Sequence, residues 1–349
     1  MKKNLSIQAL RAIAFLLVFL GHANMIPRGY ASFGVSIFIV LSGFLMAMSY
    51  SEKKCEIGFS SQIKFSKAHI KKLYPLHIVC MVGMLLFCDF SMINILKCAL
   101  NIFLVQAWFP SIAISQSLNG VAWYLSTCTF LYFMFPILWK KIKLIKIRKS
   151  IFVFFLVYVT MIALRVATVN ITVLDETFSD WFYYVCPFYR LGDFLIGVIV
   201  GNICLKIPHC NFGKSIYTFM EAIAFSLLTI IGYLQTIVVK NMFFKIFFTS
   251  TLIDLPLSVL LVILFWENKG RICNFLNNRV LIVIGNYSGV LFLTHYVSLA
   301  WGRYLMNKFF DISSYYIIAI ISIVFSFILG IIYLKIQQNY PNLRKLKIK

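Results

Sequence analysis

Acidic residues are scarce: 11 Asp and Glu stand against 33 Lys and Arg in 349 positions, and charged residues make up only 13% of the chain. A soluble domain carries about twice that share of charge, so a water-soluble globule is excluded, as is a charged disordered chain. Proline is rare too, at 8, and glycine stands at 17, far from a collagen-like or linker-rich composition. The nine cysteines form no CxxC pair and share no metal-ligand spacing with histidine. They imply thiols packed between helices, with no metal site and no disulfide framework. What the chain has is apolar length: 61% of residues are hydrophobic and 17% aromatic, with a mean hydropathy of +0.88. That balance specifies an all-α polytopic membrane bundle.

A helix needs roughly 17–25 residues to cross a hydrocarbon core of about 30 Å. Ten runs meet this: Ile7–Ile26, Phe33–Tyr50, Tyr74–Phe90, Val121–Trp139, Ile151–Val169, Tyr183–Leu205, Ile216–Val238, Phe244–Trp266, Val280–Ala300 and Tyr315–Lys335. An eleventh stretch, Met92–Phe109, carries Asn94, Lys97, Asn101 and Gln106, and reads as an interfacial or re-entrant segment. With ten spans and the first residue inside, 24 basic residues fall on inner segments and six on outer ones. This obeys the positive-inside rule and places both termini in the cytoplasm. The first run is too long for a signal-peptide core and contains Arg11, so it is expected to remain as a span. The chain reads as one membrane-embedded domain, 1–349. Its basic blocks suit topology and anionic lipid headgroups, not nucleic acid.

Ionisable groups within spans are costly unless partnered, which makes each a candidate for function. They are Arg11, His22, Arg165, Arg190, Asp193, Asp254 and His295. Arg11 and His22 are eleven residues apart, which returns to within about 20° of the same helix face after a rise of about 16 Å. One stripe of the first span therefore carries a cation in its inner half and an imidazole in its outer half. The topology puts His22, Trp123, Ser126, Arg190, Asp193 and His295 near one level. Arg190 and Asp193, at i and i+3, can also simply neutralise each other across a turn, and Arg165 lies close enough to the outer end to snorkel. Asp254 has no evident place. The basic loop 51–73, ending in His69, Lys71 and Lys72, anchors topology and can also hold a phosphorylated ligand.

Six segments in order, LRAIAFLLVFLGHA (10–23), FGVSIFIVLSGFLM (33–46), HIKKLYPLHIV (69–79), AWYLSTCTFLYFMFP (122–136), YRLGDFLIGVIVG (189–201) and IGNYSGVLFLTHY (284–296), together resemble the acyltransferase-3 family of integral membrane acyltransferases. The resemblance implies a bundle of about ten helices that moves an acyl group, usually acetyl from cytoplasmic acetyl-CoA, to a hydroxyl of an envelope glycan (O-antigen, capsule or exopolysaccharide) beyond the bacterial inner membrane. It implies Arg11 and His22 as the catalytic pair, with His69, Lys71, Lys72 and Ser42 on the donor side. Trp123, Ser126, Arg190, Asp193 and His295 become acceptor-side candidates. The expected partners are membrane lipids and a glycan or lipid-linked glycan. Two departures stand out. His69 and Lys72 replace the family's Arg-x-x-Arg, keeping charge but losing the planar fork, and Cys128 stands where many members have Glu.

The competing classes are a flippase and a polysaccharide polymerase. A transporter would be expected to show duplicated halves with matching broken helices, and a polymerase a large outer loop bearing arginines. The sequence displays neither.

Overall fold

A computed structural model of the chain describes residues 4–169, 176–207, 212–238 and 253–339. The described residues form helices and no strand. The N-terminal part of the eighth expected span, 244–252, and the basic residues at 344–349 lie outside the described residues.

Helix α1, Leu5–His22, starts at Asn4, whose side chain accepts from the Ser6 amide and donates to the Trp266 carbonyl. This cap satisfies an orphan N–H of the first turn. Pro27 precedes α2, Arg28–Ser49. Gly58, at φ +149°, opens α3, Phe59–Ile70, and Pro75 sits in the first turn of α4, Tyr74–Leu85, where a missing N–H costs nothing. Then follow α5, Met92–Ile102, a 3-10 turn at Gln106–Trp108, α6, Ile112–Ser115, and α7, Trp123–Ile142. The second half holds α8, Ile147–Val169, α9, Glu176–Asp180, a π-helical turn at Trp181–Val185, and α10, Pro187–Lys206. It continues with α11, Lys214–Val238, α12, Asp254–Glu267, α13, Arg271–Leu276, α14, Arg279–Phe310, and α15, Tyr315–Asn339. Asn268 and Asp311 end α12 and α14 in the left-handed conformation.

Among the described residues, seven helical stretches are long and apolar enough to cross a membrane: α1, α2, α8, Phe178–Lys206, α11, α14 and α15. The expected third span differs. Its helix stops at Leu85 after 12 residues, about 18 Å of rise, and α5 folds back on it. The Tyr74 hydroxyl donates to the Ile102 carbonyl at 2.8 Å, and His77 Nε2 donates to the Asn101 carbonyl at 3.0 Å. Asn94 closes the intervening turn by donating to both the carbonyl and the carboxylate of Asp89. That polar turn interrupts an apolar run which hydropathy alone reads as continuous.

Four helices make the centre. α1 and α14 run side by side in the same direction, since Gly285 meets the Gln8 carbonyl, Ser288 meets Arg11 and His295 meets His22. Helices α2 and α10 pack through Gly43 and Gly197. A Cβ on either would stand 2.2 and 2.1 Å from the carbonyls of Phe194 and Val40. Small residues let membrane helices approach this closely and gain dispersion along their whole length. Round the rim, α8, α11 and α15 expose Phe152, Phe155, Phe219, Ile230, Ile320 and Val324, the surface that suits lipid.

Candidate functional site

The Arg11 side chain leaves the middle of α1 and donates from Nε to Ser288 Oγ of α14 at 3.1 Å. Ser288 in turn donates to the Gly285 carbonyl at 2.8 Å, so the guanidinium is held against α14 by one arm. Among the described residues its other nitrogens find no protein partner, and no carboxylate lies within ion-pair distance. They face a cavity of about 240 Å³ lined by α1, α2, α3, α7 and α14. Ser42, His69, Tyr124, Cys128, Tyr132 and Phe292 are among its lining. A guanidinium without a counterion, ringed by hydroxyls in an otherwise apolar chamber, is a receptor for an anionic or strongly polarised oxygen.

The wall of this chamber formed by α3 is fixed by Gln62 and Ser66, which donate to the Phe133 and Thr129 carbonyls of α7 at 3.0 and 2.6 Å. His69 Nδ1 donates to the Phe65 carbonyl at 2.8 Å, leaving Nε2 to accept from the Tyr50 hydroxyl at 3.3 Å. Lys71 and Lys72 lie just past α3, exposed and outside the chamber. The turn that carries them is pinned by α15, because the Tyr333 hydroxyl and the Gln337 amide both donate to the Lys72 carbonyl. They therefore form a basic rim near the His69 side of the cavity.

His22 ends α1, and its Nδ1 lies 2.9 Å from Nε2 of His295, with the two rings stacked at 5.2 Å. His295 Nδ1 faces the Leu291 carbonyl at 3.1 Å. A carbonyl only accepts, so that Nδ1 carries the proton. With both rings neutral, His295 Nε2 then accepts from His22 Nδ1–H, and the lone pair of His22 is left on Nε2. No described side chain or backbone group engages that nitrogen. Arg303 Nη2 holds the His22 carbonyl at 2.7 Å, which fixes the end of α1. The pair is thus a base whose tautomer is set by its neighbour, in the manner of an oriented catalytic imidazole.

The remaining candidates separate. Ser126 is fully buried, donating to the Leu104 carbonyl at 2.6 Å and accepting from the Ala107 amide. It clamps the loop after α5 and faces neither His22 nor the cavity. Arg190 and Asp193 form a wholly buried ion pair at 2.6 Å, and Arg190 Nε also donates to the Tyr184 carbonyl. Trp123 joins that group through Tyr184, ring to ring at 4.9 Å, with the Arg190 guanidinium over the same ring at 5.2 Å. Arg165 does not snorkel: it is 4% exposed and lies over the Tyr183 ring at 4.3 Å. Asp254 is buried and accepts from Gln235 Nε2 at 3.0 Å and Ser32 Oγ at 3.4 Å.

Sequence reasoning missed Ser288, Tyr124 and Tyr132 around Arg11. The signal for Ser288 was present, since Ser288 and His295 stand seven residues apart on one face of α14, matching the α1 stripe.

Residues 4–331 match the family model Acyl_transf_3, described as an acyltransferase domain. Over 296 residues, 79% of this chain and 70% of the relative, the chain is 24% identical to the acyltransferase MdmB of Streptomyces mycarofaciens. No solved structure matches it.

Proposed function

The chain belongs to this acyltransferase family, and on that premise we propose that it moves an acetyl group from acetyl-CoA to a hydroxyl of an envelope glycan. As a multi-pass membrane protein, it is assigned to the bacterial cytoplasmic membrane, with the α3 rim inside and His22 toward the outer face. The observation that carries the reading is the α1 stripe itself: Arg11 faces a chamber open on one side at one level, and His22 is oriented by His295 about 16 Å further along the same helix.

In this reading Lys71, Lys72 and their neighbours receive the phosphates of CoA outside the chamber. The pantetheine arm enters past His69, and the Arg11 guanidinium with Ser42 holds its amide oxygens, so that the thioester end lies beyond them toward the His22 side. A chamber of about 240 Å³ suits the arm and a small acyl group; the nucleotide stays at the basic rim. At the reaction itself, His22 Nε2 takes the proton of the acceptor hydroxyl as its oxygen bonds to the thioester carbonyl. The carbon–sulfur bond then breaks, and CoA leaves as a thiol with a proton in return. Positioned proton transfer of this kind contributes about 10²- to 10⁴-fold.

The test uses purified full-length protein in nanodiscs. Arg11→Ala is expected to weaken acetyl-CoA binding at least tenfold. His22→Ala is expected to bind acetyl-CoA as the wild type does but transfer acetyl to an extracted glycan acceptor at least 10²-fold more slowly. Binding of CoA that ignores both the Arg11 change and loss of Lys71 and Lys72 would overturn the donor assignment.

A further inference from the structure

The Arg11 chamber and the histidine pair are separate compartments, and a layer of aromatic side chains stands between them. Phe292 lies on α14 between Ser288 and His295. Its ring lines the chamber, meets Phe38 at 5.7 Å and Tyr124 at 4.9 Å, and on the other side meets the His295 ring at 5.9 Å. It is 5% exposed. His295 itself takes no part in the chamber lining. Phe15 and Phe19 of α1 complete the barrier, at 5.9 and 6.2 Å from the same imidazole. A path along α1 from the guanidinium to the base therefore runs into this aromatic layer, and Phe292 is the member that touches both sides.

We propose that Phe292 is a specificity-determining residue: it is the end wall of the donor chamber, against which the acyl group of the CoA thioester rests. It limits that group to a short chain, and it separates the thioester from the water and acceptor on the His22 side until its ring turns aside. This rests on the acyl-CoA reading above. Two consequences follow from the chemistry. Removing the ring lengthens the chamber toward His295, so longer acyl groups fit; one methylene in an apolar pocket is worth roughly 10- to 200-fold in selectivity. Removing it also lets water reach the thioester, where a water oxygen bonds to the carbonyl carbon, the carbon–sulfur bond breaks, and a carboxylate and the CoA thiol with its proton result.

The experiment follows CoA release and acyl transfer separately, with acetyl-, butyryl- and hexanoyl-CoA, for wild type, Phe292→Ala and Phe292→Leu in nanodiscs. Wild type is expected to prefer acetyl-CoA and to release little CoA without acceptor. Phe292→Ala is expected to gain at least tenfold in butyryl over acetyl use and to raise acceptor-free CoA release at least fivefold. Phe292→Leu should move both readouts the same way by a smaller factor, which keeps the test valid if the alanine variant does not fold. Affinity for butyryl-CoA, measured against CoA itself, should rise in the same order without any turnover. An unchanged chain-length preference and unchanged CoA release in a folded Phe292→Leu or Phe292→Ala protein would overturn the wall assignment. A wild type that neither binds nor turns over any acyl-CoA would instead overturn the reading on which it stands.

Discussion

Arg11 is held by one nitrogen and offers the rest. That division of labour predicts an order of sensitivity. Arg11→Lys keeps the charge but loses the fork and the Nε contact to Ser288. We expect a KM for acetyl-CoA raised at least tenfold, read from initial rates at saturating acceptor. Ser288→Ala removes one neutral partner of a charged donor, worth about 1.5–3 kcal/mol at most, and should cost less than the lysine variant. In the proposed mechanism His295 acts through its contact to His22, as a positioning residue. His295→Asn should lower kcat about tenfold or more while leaving donor KM unchanged, and an alanine at 295 should be worse than the asparagine, because only the amide can still accept from His22 Nδ1–H. Equal losses in both variants would assign His295 to packing alone. Arg11 and His22 were legible in the sequence because the helix period alone puts them on one stripe. Their partners Ser288 and His295 are about 275 residues distant in sequence and enter only when α14 is laid against α1. Ser126 was misplaced for the matching reason: a serine near the start of a span looks available, and only the fold shows its hydroxyl spent on the Leu104 carbonyl.

At the scale of elements, the central helices depend on absent side chains. A Cβ on Gly285 would stand 1.8 Å from the Gln8 carbonyl, and one on Gly197 2.1 Å from that of Val40. Backbone cannot yield as a side-chain tip does, so Gly285→Ala and Gly197→Ala should each destabilise by about 1–3 kcal/mol or more. Loss of monodisperse protein on heating in detergent measures this. Gly213→Ala, where nothing lies within 4 Å, is the control and should melt with the wild type. The Gly285 change bears directly on function, because it levers α14, and with it His295 and Phe292, away from α1. Helix existence was readable from apolar length; the α4–α5 fold-back was only half readable. The polar residues of Met92–Phe109 marked it as unlike a span. The Asp89–Asn94 turn that cuts its predecessor to 12 residues is a local side-chain hydrogen-bond pattern that an averaged hydropathy passes over.

Across the whole molecule, one helix links a basic, donor-suited end to a histidine-bearing end, and an aromatic layer lies between. Under the proposed function this arrangement would separate binding from chemistry, and the two should then fail separately on mutation. The segregation of 24 basic residues to one side of the expected topology fits a phosphate-rich donor arriving there, and the His22 end carries the oriented base. Length and composition were enough to read the membrane class. The enclosure of Arg11 and the barrier at Phe292 required the packing of five helices. Acetyl transfer dependent on His22 is tested by mass spectrometry of the envelope glycans from cells with the intact gene, without it, and with His22→Ala at equal membrane abundance. An increment of one acetyl per glycan repeat is expected in the first strain and none in the other two. An increment that persists in the His22→Ala strain, or glycans that change in amount or length with no acyl difference, would contradict it.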